Sequence, residues 1–124
     1  MPTALYAAAF LAFVAGVMHS YFGERYILGR ILRWPDFGGL FRDPTFTARV
    51  LRLAWHATSI AWWGFAGILT LLAQPPVSDR KISLTLGITF LVTAIAVLVG
   101  SKGKHLGWPL FLAIALVALY AAWA

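Results

Sequence analysis

HSYFGERYILGRILRWPDFGGLFRDPTFTARVLRLAWHATS, residues His19 to Ser59, is the stretch whose reading decides the fold. It holds two of the three histidines, three of the four acidic residues and six of the ten basic ones. Its middle, Pro35-Asp36-Phe37-Gly38-Gly39, has turn composition. Asp43-Pro44 then marks a helix start, with Asp43 as N-cap and Pro44 in the first helical position, where its missing N–H costs nothing. On the near side no proline occurs between Pro2 and Pro35, so the first helix is free to continue through Glu24 towards Arg33, although Gly23 and Gly29 weaken it. Alternatively, residues 25–34 form a separate basic amphipathic helix on the surface, with Tyr26, Ile27, Ile31 and Trp34 on its apolar side. Either way the stretch folds as a helical hairpin with a basic tip.

Outside this stretch the chain is nearly all hydrocarbon. Residues 4–17 and 82–100 carry no charge. Of the 124 residues, 61% are hydrophobic and 11% charged, against roughly a quarter charged in soluble domains. Lipid is the solvent that suits such a chain. The expected fold is therefore all-α: a single-domain integral membrane four-helix bundle of up-down topology, with approximate spans 3–23, 48–73, 82–100 and 108–123. The second helix runs on from Pro44 to Ala73, about 45 Å at ~1.5 Å per residue, longer than a hydrocarbon core of ~30 Å. Its first turns, with Arg49 and Arg52, then stand among headgroups, and the first two helices extend as a basic hairpin. The N-terminal segment is expected to be a retained membrane helix, since no Lys or Arg precedes Arg25 as a signal peptide would require.

The net charge of +6 reads as an orientation signal. Four spans put both termini on one side, with only Arg80 and Lys81 near it. The loops 24–52 and 101–107 share the other side with Arg25, Arg30, Arg33, Arg42, Arg49, Arg52, Lys102 and Lys104. The positive-inside rule then makes those loops cytoplasmic and both termini external. A nucleic-acid partner does not fit beside so much hydrocarbon. The expected partner is the lipid bilayer, together with a membrane-protein partner or a second copy. The absence of cysteine excludes disulfides, thiolate metal sites and thiol catalysis.

Small residues and hydroxyls mark packing faces. Ala8, Ala12, Gly16 and Gly23 recur at spacings of four and seven, a stripe that lets another helix approach closely. Thr85, Thr89 and Thr93 stack every fourth residue, where each hydroxyl can bond a preceding carbonyl.

Chemistry is confined to one level. In an antiparallel hairpin with its tip near Gly39, paired residues have numbers summing to about 78, which puts His19 level with Ser59 and Glu24 between Arg52 and His56. Arg52, His56 and Ser59 lie at helical spacing on one face of the second helix. The predicted polar layer is His19, Ser20, Glu24, Arg52, His56 and Ser59, with Arg52 pairing with Glu24. The favoured role is structural, in a non-enzymatic accessory or scaffolding protein with no cofactor required. The alternative is a metal site of His19, Glu24 and His56, with His105 as a further ligand, whose donor types suit zinc or non-haem iron. A quinone, haem or lipid-head pocket walled by Trp55, Trp62 and Trp63 is the other cofactor option. Redox or hydrolytic enzyme chemistry would use the same histidines and Glu24. No nucleophile elbow or phosphate loop is present, and no ionisable group stands at a span's midpoint as proton-coupled export requires.

The motifs His19-Ser20-Tyr21-Phe22-Gly23-Glu24 and Trp55-His56-Ala57-Thr58-Ser59 resemble paired motifs of uncharacterised small four-span bacterial membrane proteins. The resemblance covers most of the chain. It implies the bacterial cytoplasmic membrane as location and carries no activity.

Overall fold

The structure, a computed structural model, describes residues 1–35 and 42–124. The turn expected at Pro35–Gly39 therefore lies, from residue 36 on, outside the described residues. The described chain is all-helical, without a strand, and has four helices. They are α1 (Pro2–Ile31), α2 (Pro44–Leu72), α3 (Asp79–Gly100) and α4 (Gly107–Ala121).

The first helix resolves the two alternatives left by its sequence. It continues past Phe22 as a six-residue π-helical segment, Gly23–Leu28, and closes with a last α-turn at Gly29–Ile31. The widened turns fall beside the polar layer, where α1 accommodates a tryptophan of α2. Asp43 caps α2 by accepting a hydrogen bond from the Phe46 N–H at 3.0 Å, with Pro44 in the first turn. Ser78 caps α3 in the same way, accepting from the Lys81 N–H at 3.3 Å. After α3 the backbone turns through Lys102 and Gly103, both in the left-handed region (φ 52° and 76°). The Gly103 N–H donates back to the Leu98 carbonyl at 2.8 Å, which ends the helix.

The helices pack in chain order: α1 on α2, α2 on α3, α3 on α4. Among the described residues the outer pair, α1 and α4, makes no comparable contact. Close approach is bought with missing side chains. Gly64 of α2 lies against Thr89 of α3, and Gly87 of α3 against Leu119 of α4. The threonine stripe of α3 bonds its own backbone, with Thr85, Thr89 and Thr93 each donating to the carbonyl four residues earlier.

Two helices, α1 and α3, are long and apolar enough to cross a membrane. The fourth is apolar but has 15 residues, about 22 Å at 1.5 Å per residue. The second has the length, at 29 residues. Its tryptophans, His56 and hydroxyls dilute its apolar character.

Candidate functional site: a histidine–serine layer

All six predicted layer residues meet where α1 faces α2. Ser59 lies at the centre, 1% exposed. Its Oγ accepts from the Ser20 hydroxyl at 2.7 Å and lies 3.1 Å from His19 Nδ1. On the other side of Ser20, its Oγ is 2.9 Å from His56 Nδ1. The His56 ring reaches on, placing Nε2 3.4 Å from Glu24 Oε2. Glu24 is in turn held by Arg52, whose Nη2 stands 2.7 Å from Oε1 and whose Nε donates to Oε2 at 3.2 Å. The result is one continuous chain: His19, Ser59, Ser20, His56, Glu24, Arg52.

Helix geometry explains the convergence. On α2, Arg52, His56 and Ser59 are spaced four and three residues apart and therefore share a face. On α1, the adjacent His19 and Ser20 straddle the interface, and Glu24 follows one turn later, inside the π-helical segment. π-Helical turns recur at functional sites because they re-aim side chains.

The chain accommodates two arrangements of its protons without moving a heavy atom, because each hydroxyl can both donate and accept. If Ser20 donates to Ser59, His56 must donate to Ser20 through Nδ1, and its Nε2 attracts Glu24 only as imidazolium. If both hydroxyls rotate, Ser59 donates to Ser20 and Ser20 to His56 Nδ1, and a neutral His56 gives its Nε2–H to Glu24. No buried side-chain donor or acceptor is left without a partner among the described residues.

Two tryptophans lock this layer, a part beyond that of pocket walls which their sequence positions suggest. The Trp55 indole lies directly over Gly23, where any β-carbon would collide with it. Its N–H donates to the His19 carbonyl at 2.8 Å, and its ring stacks on the His19 imidazole at 4.5 Å and 5°. Trp62 meets the same imidazole at a tilt, 4.9 Å between centroids. One step deeper, Trp63 covers Gly16 and donates to the Phe13 carbonyl at 3.1 Å. The signal for this was the antiparallel match of two tryptophans eight residues apart with two glycines seven apart.

The metal option does not gather its ligands. Among the described residues no three His, Cys, Asp or Glu side chains are arranged to hold a metal ion. The Nδ1 atoms of His19 and His56 turn to serines, and Glu24 to Arg52. His105 serves the α3–α4 loop: it accepts from the Gly107 N–H through Nδ1 at 2.9 Å, and its own N–H donates to Ser101. A nucleophilic Ser59 would have to be reached through packed helices, since it is sealed from solvent.

No protein-family model, no curated protein and no solved structure matches this chain.

Proposed function

We propose that this chain is an integral membrane protein of the bacterial cytoplasmic membrane, a non-enzymatic accessory or scaffolding component. Its four helices cross the bilayer, with loops 24–52 and 101–107 cytoplasmic and both termini outside. The observation that carries this is an inverted distribution of polarity. Among the described residues the largest fully buried side chains are Ser59 and Ser101, 1% and 0% exposed, and the buried apolar residues are mostly alanines, whereas Phe10 at 66%, Val99 at 69% and Val117 at 69% lie on the surface. A water-soluble domain hides its large apolar side chains, and surface apolar patches of this extent mark contact with lipid or protein. The eight-to-two excess of Lys and Arg on the loop side supports the orientation. The hairpin layer, closed on itself, serves as a register lock rather than as a reaction centre. Polar side chains between membrane helices find their partners in protein in this way.

Single cysteines test placement and orientation together. In intact cells, Val77→Cys should be labelled by an impermeant maleimide and Lys104→Cys only after permeabilisation. The reverse pattern would invert the topology, and release of the protein by alkaline carbonate would remove it from the membrane. For the layer, the protein purified in mild detergent should be colourless and free of stoichiometric metal. A visible absorption band or bound metal lost on His19→Ala or His56→Ala would replace the structural role with a cofactor site.

A further inference from the structure

Above the polar layer the hairpin opens into a cleft of about 550 Å³ between the end of α1 and the start of α2, lined by Leu32, Arg33, Trp34, Thr45, Arg49 and Arg52. Arg33 and Trp34 are shared with an adjoining cleft that adds Arg30 and Ile31. Three features make the site an acceptor for negative charge. Arg52 is already paired with Glu24, but Arg33 and Arg49 form no ion pair among the described residues. Asp43, the nearest described acid in sequence, is engaged as the N-cap of α2. The six arginines of residues 25–52 also exceed all nearby carboxylates, since Glu24, Asp36 and Asp43 together leave three positive charges over.

We infer that this cleft binds the phosphate headgroup of an anionic phospholipid. The inference rests on the membrane placement proposed above. Arginine's planar fork matches a phosphate diester in two-point contact. Trp34, 63% exposed beside the guanidinium groups, is the aromatic expected at headgroup level. The depth agrees: Arg49 lies one helical turn beyond Arg52, about 4.5 Å at 1.5 Å per residue, and the headgroup zone adds about 5–8 Å to each side of the hydrocarbon. On the same helix as Arg33, Ile27 and Ile31 are exposed and Ile31 lines the adjoining cleft, offering acyl chains an apolar wall beside the arginines. A soluble phosphate compound would use the arginines and leave that wall bare. Basic pockets at the cytoplasmic ends of membrane helices select anionic lipids on these terms.

The full-length protein in lipid nanodiscs gives the test, with spin-labelled phosphatidylglycerol and phosphatidylcholine as probes of the lipid shell. Wild type should favour phosphatidylglycerol on the order of tenfold, and Arg33→Gln/Arg49→Gln should bring the ratio close to one. Lys102→Gln/Lys104→Gln removes equal charge on the same side outside the cleft and should keep most of the preference. Melting temperatures of the variants confirm that they are folded. Equal association of the two lipids with wild type, or equal losses in the two double variants, would overturn the site. Displacement of phosphatidylglycerol by millimolar inorganic phosphate would overturn the lipid as occupant. Failure of the protein to enter nanodiscs would instead count against the membrane placement, so the two failures are distinguishable.

Discussion

The two hairpins of this chain are both tight antiparallel helix pairs, yet they are held by different means. Between α1 and α2, six side-chain hydrogen bonds cross the interface, two of them from indoles to backbone carbonyls. Between α3 and α4, the contact is Gly87 against Leu119 and Phe90 against Phe111, and the threonines of α3 bond only their own helix. At the far end, Arg80 lies 4.1 Å over the Trp123 ring. In lipid, apolar side chains gain little by leaving their solvent for each other. A hairpin held by packing alone can therefore slide at small cost. One pinned by directional bonds cannot, because a one-residue shift unmakes them all. Directional bonds of this kind suit the first hairpin to fixing register, as proposed above.

The difference between the hairpins is largest at Gly23. Gly23→Val would drive two methyl groups into the Trp55 indole, the donor that holds the His19 carbonyl. Overpacking of this kind costs about 1–3 kcal/mol, and loss of the layer adds to it. We expect the largest fall in melting temperature in detergent of any variant named here, with fluorescence showing Trp55 exposed. Gly87→Ala in the second hairpin meets Leu119 at Cγ, Cδ2 and its backbone N, a smaller obstacle than the Trp55 indole, and should cost less. Equal losses would remove the distinction between the hairpins.

Ser59→Ala comes next. It takes from His19 the hydroxyl at its Nδ1 and from Ser20 one of two partners, the other being His56, and a polar group left without a partner costs about 1–3 kcal/mol where it is buried. Thr93→Val is the matched control. Thr93 is also buried, but its hydroxyl bonds a carbonyl within its own helix. Its loss should be the smaller of the two, since the carbonyl it bonds is already engaged within the helix and no group is stranded.

The residues of the layer were legible in the sequence for a geometric reason. Helical spacing fixes which side chains of α2 share a face, and the turn expected from composition near Gly39 sets what stands opposite. Arg52, His56 and Ser59 followed from the first rule, and the pairing with Glu24 and His19 from the second. The caps Asp43 and Pro44 were legible too, because they act within one turn. The π-helical segment was not. Gly23 and Gly29 read only as weak points of an α-helix, and the contact that falls at the start of the widened turns comes from thirty-two residues away in sequence, Trp55 on Gly23. The indole bonds were hidden for the same reason: tryptophan in an apolar helix suits an interface anchor as well as a donor. Nor does hydropathy say how helices sit side by side. Four apolar segments suggested a bundle, and among the described residues the main contacts run between neighbours in the chain.

Trp63→Phe isolates a single indole bond. The ring still covers Gly16, but the donor to the Phe13 carbonyl is lost. Interhelical hydrogen bonds in membranes average about 0.6 kcal/mol, and a loss of that order is expected, measured by unfolding in mixed detergent micelles. A loss above about 2 kcal/mol would mean that the carbonyl at Phe13 cannot recover a partner, an energy beyond that ordinary range.

The smallest effect belongs to the most conspicuous pair. Glu24 and Arg52 make the shortest ionic contact in the described chain, yet their side chains are 41% and 49% exposed. Exposed pairs contribute about 0.2–1 kcal/mol, because water screens the attraction and long side chains lose freedom. A double-mutant cycle of Glu24→Gln and Arg52→Gln should return a coupling within that range and shrinking in 1 M salt, where the screening length falls to about 3 Å. The same cycle between Glu24→Gln and His56→Ala should be no larger. Measured in a bilayer, the coupling also gauges the depth of the layer. Headgroup hydration would leave it small, whereas immersion in hydrocarbon would raise it to several kcal/mol, the cost of one buried charge losing its partner. A coupling that large and insensitive to salt would move the polar layer off the interface into the apolar core. The first hairpin would then be pinned by charge rather than by its serines and indoles.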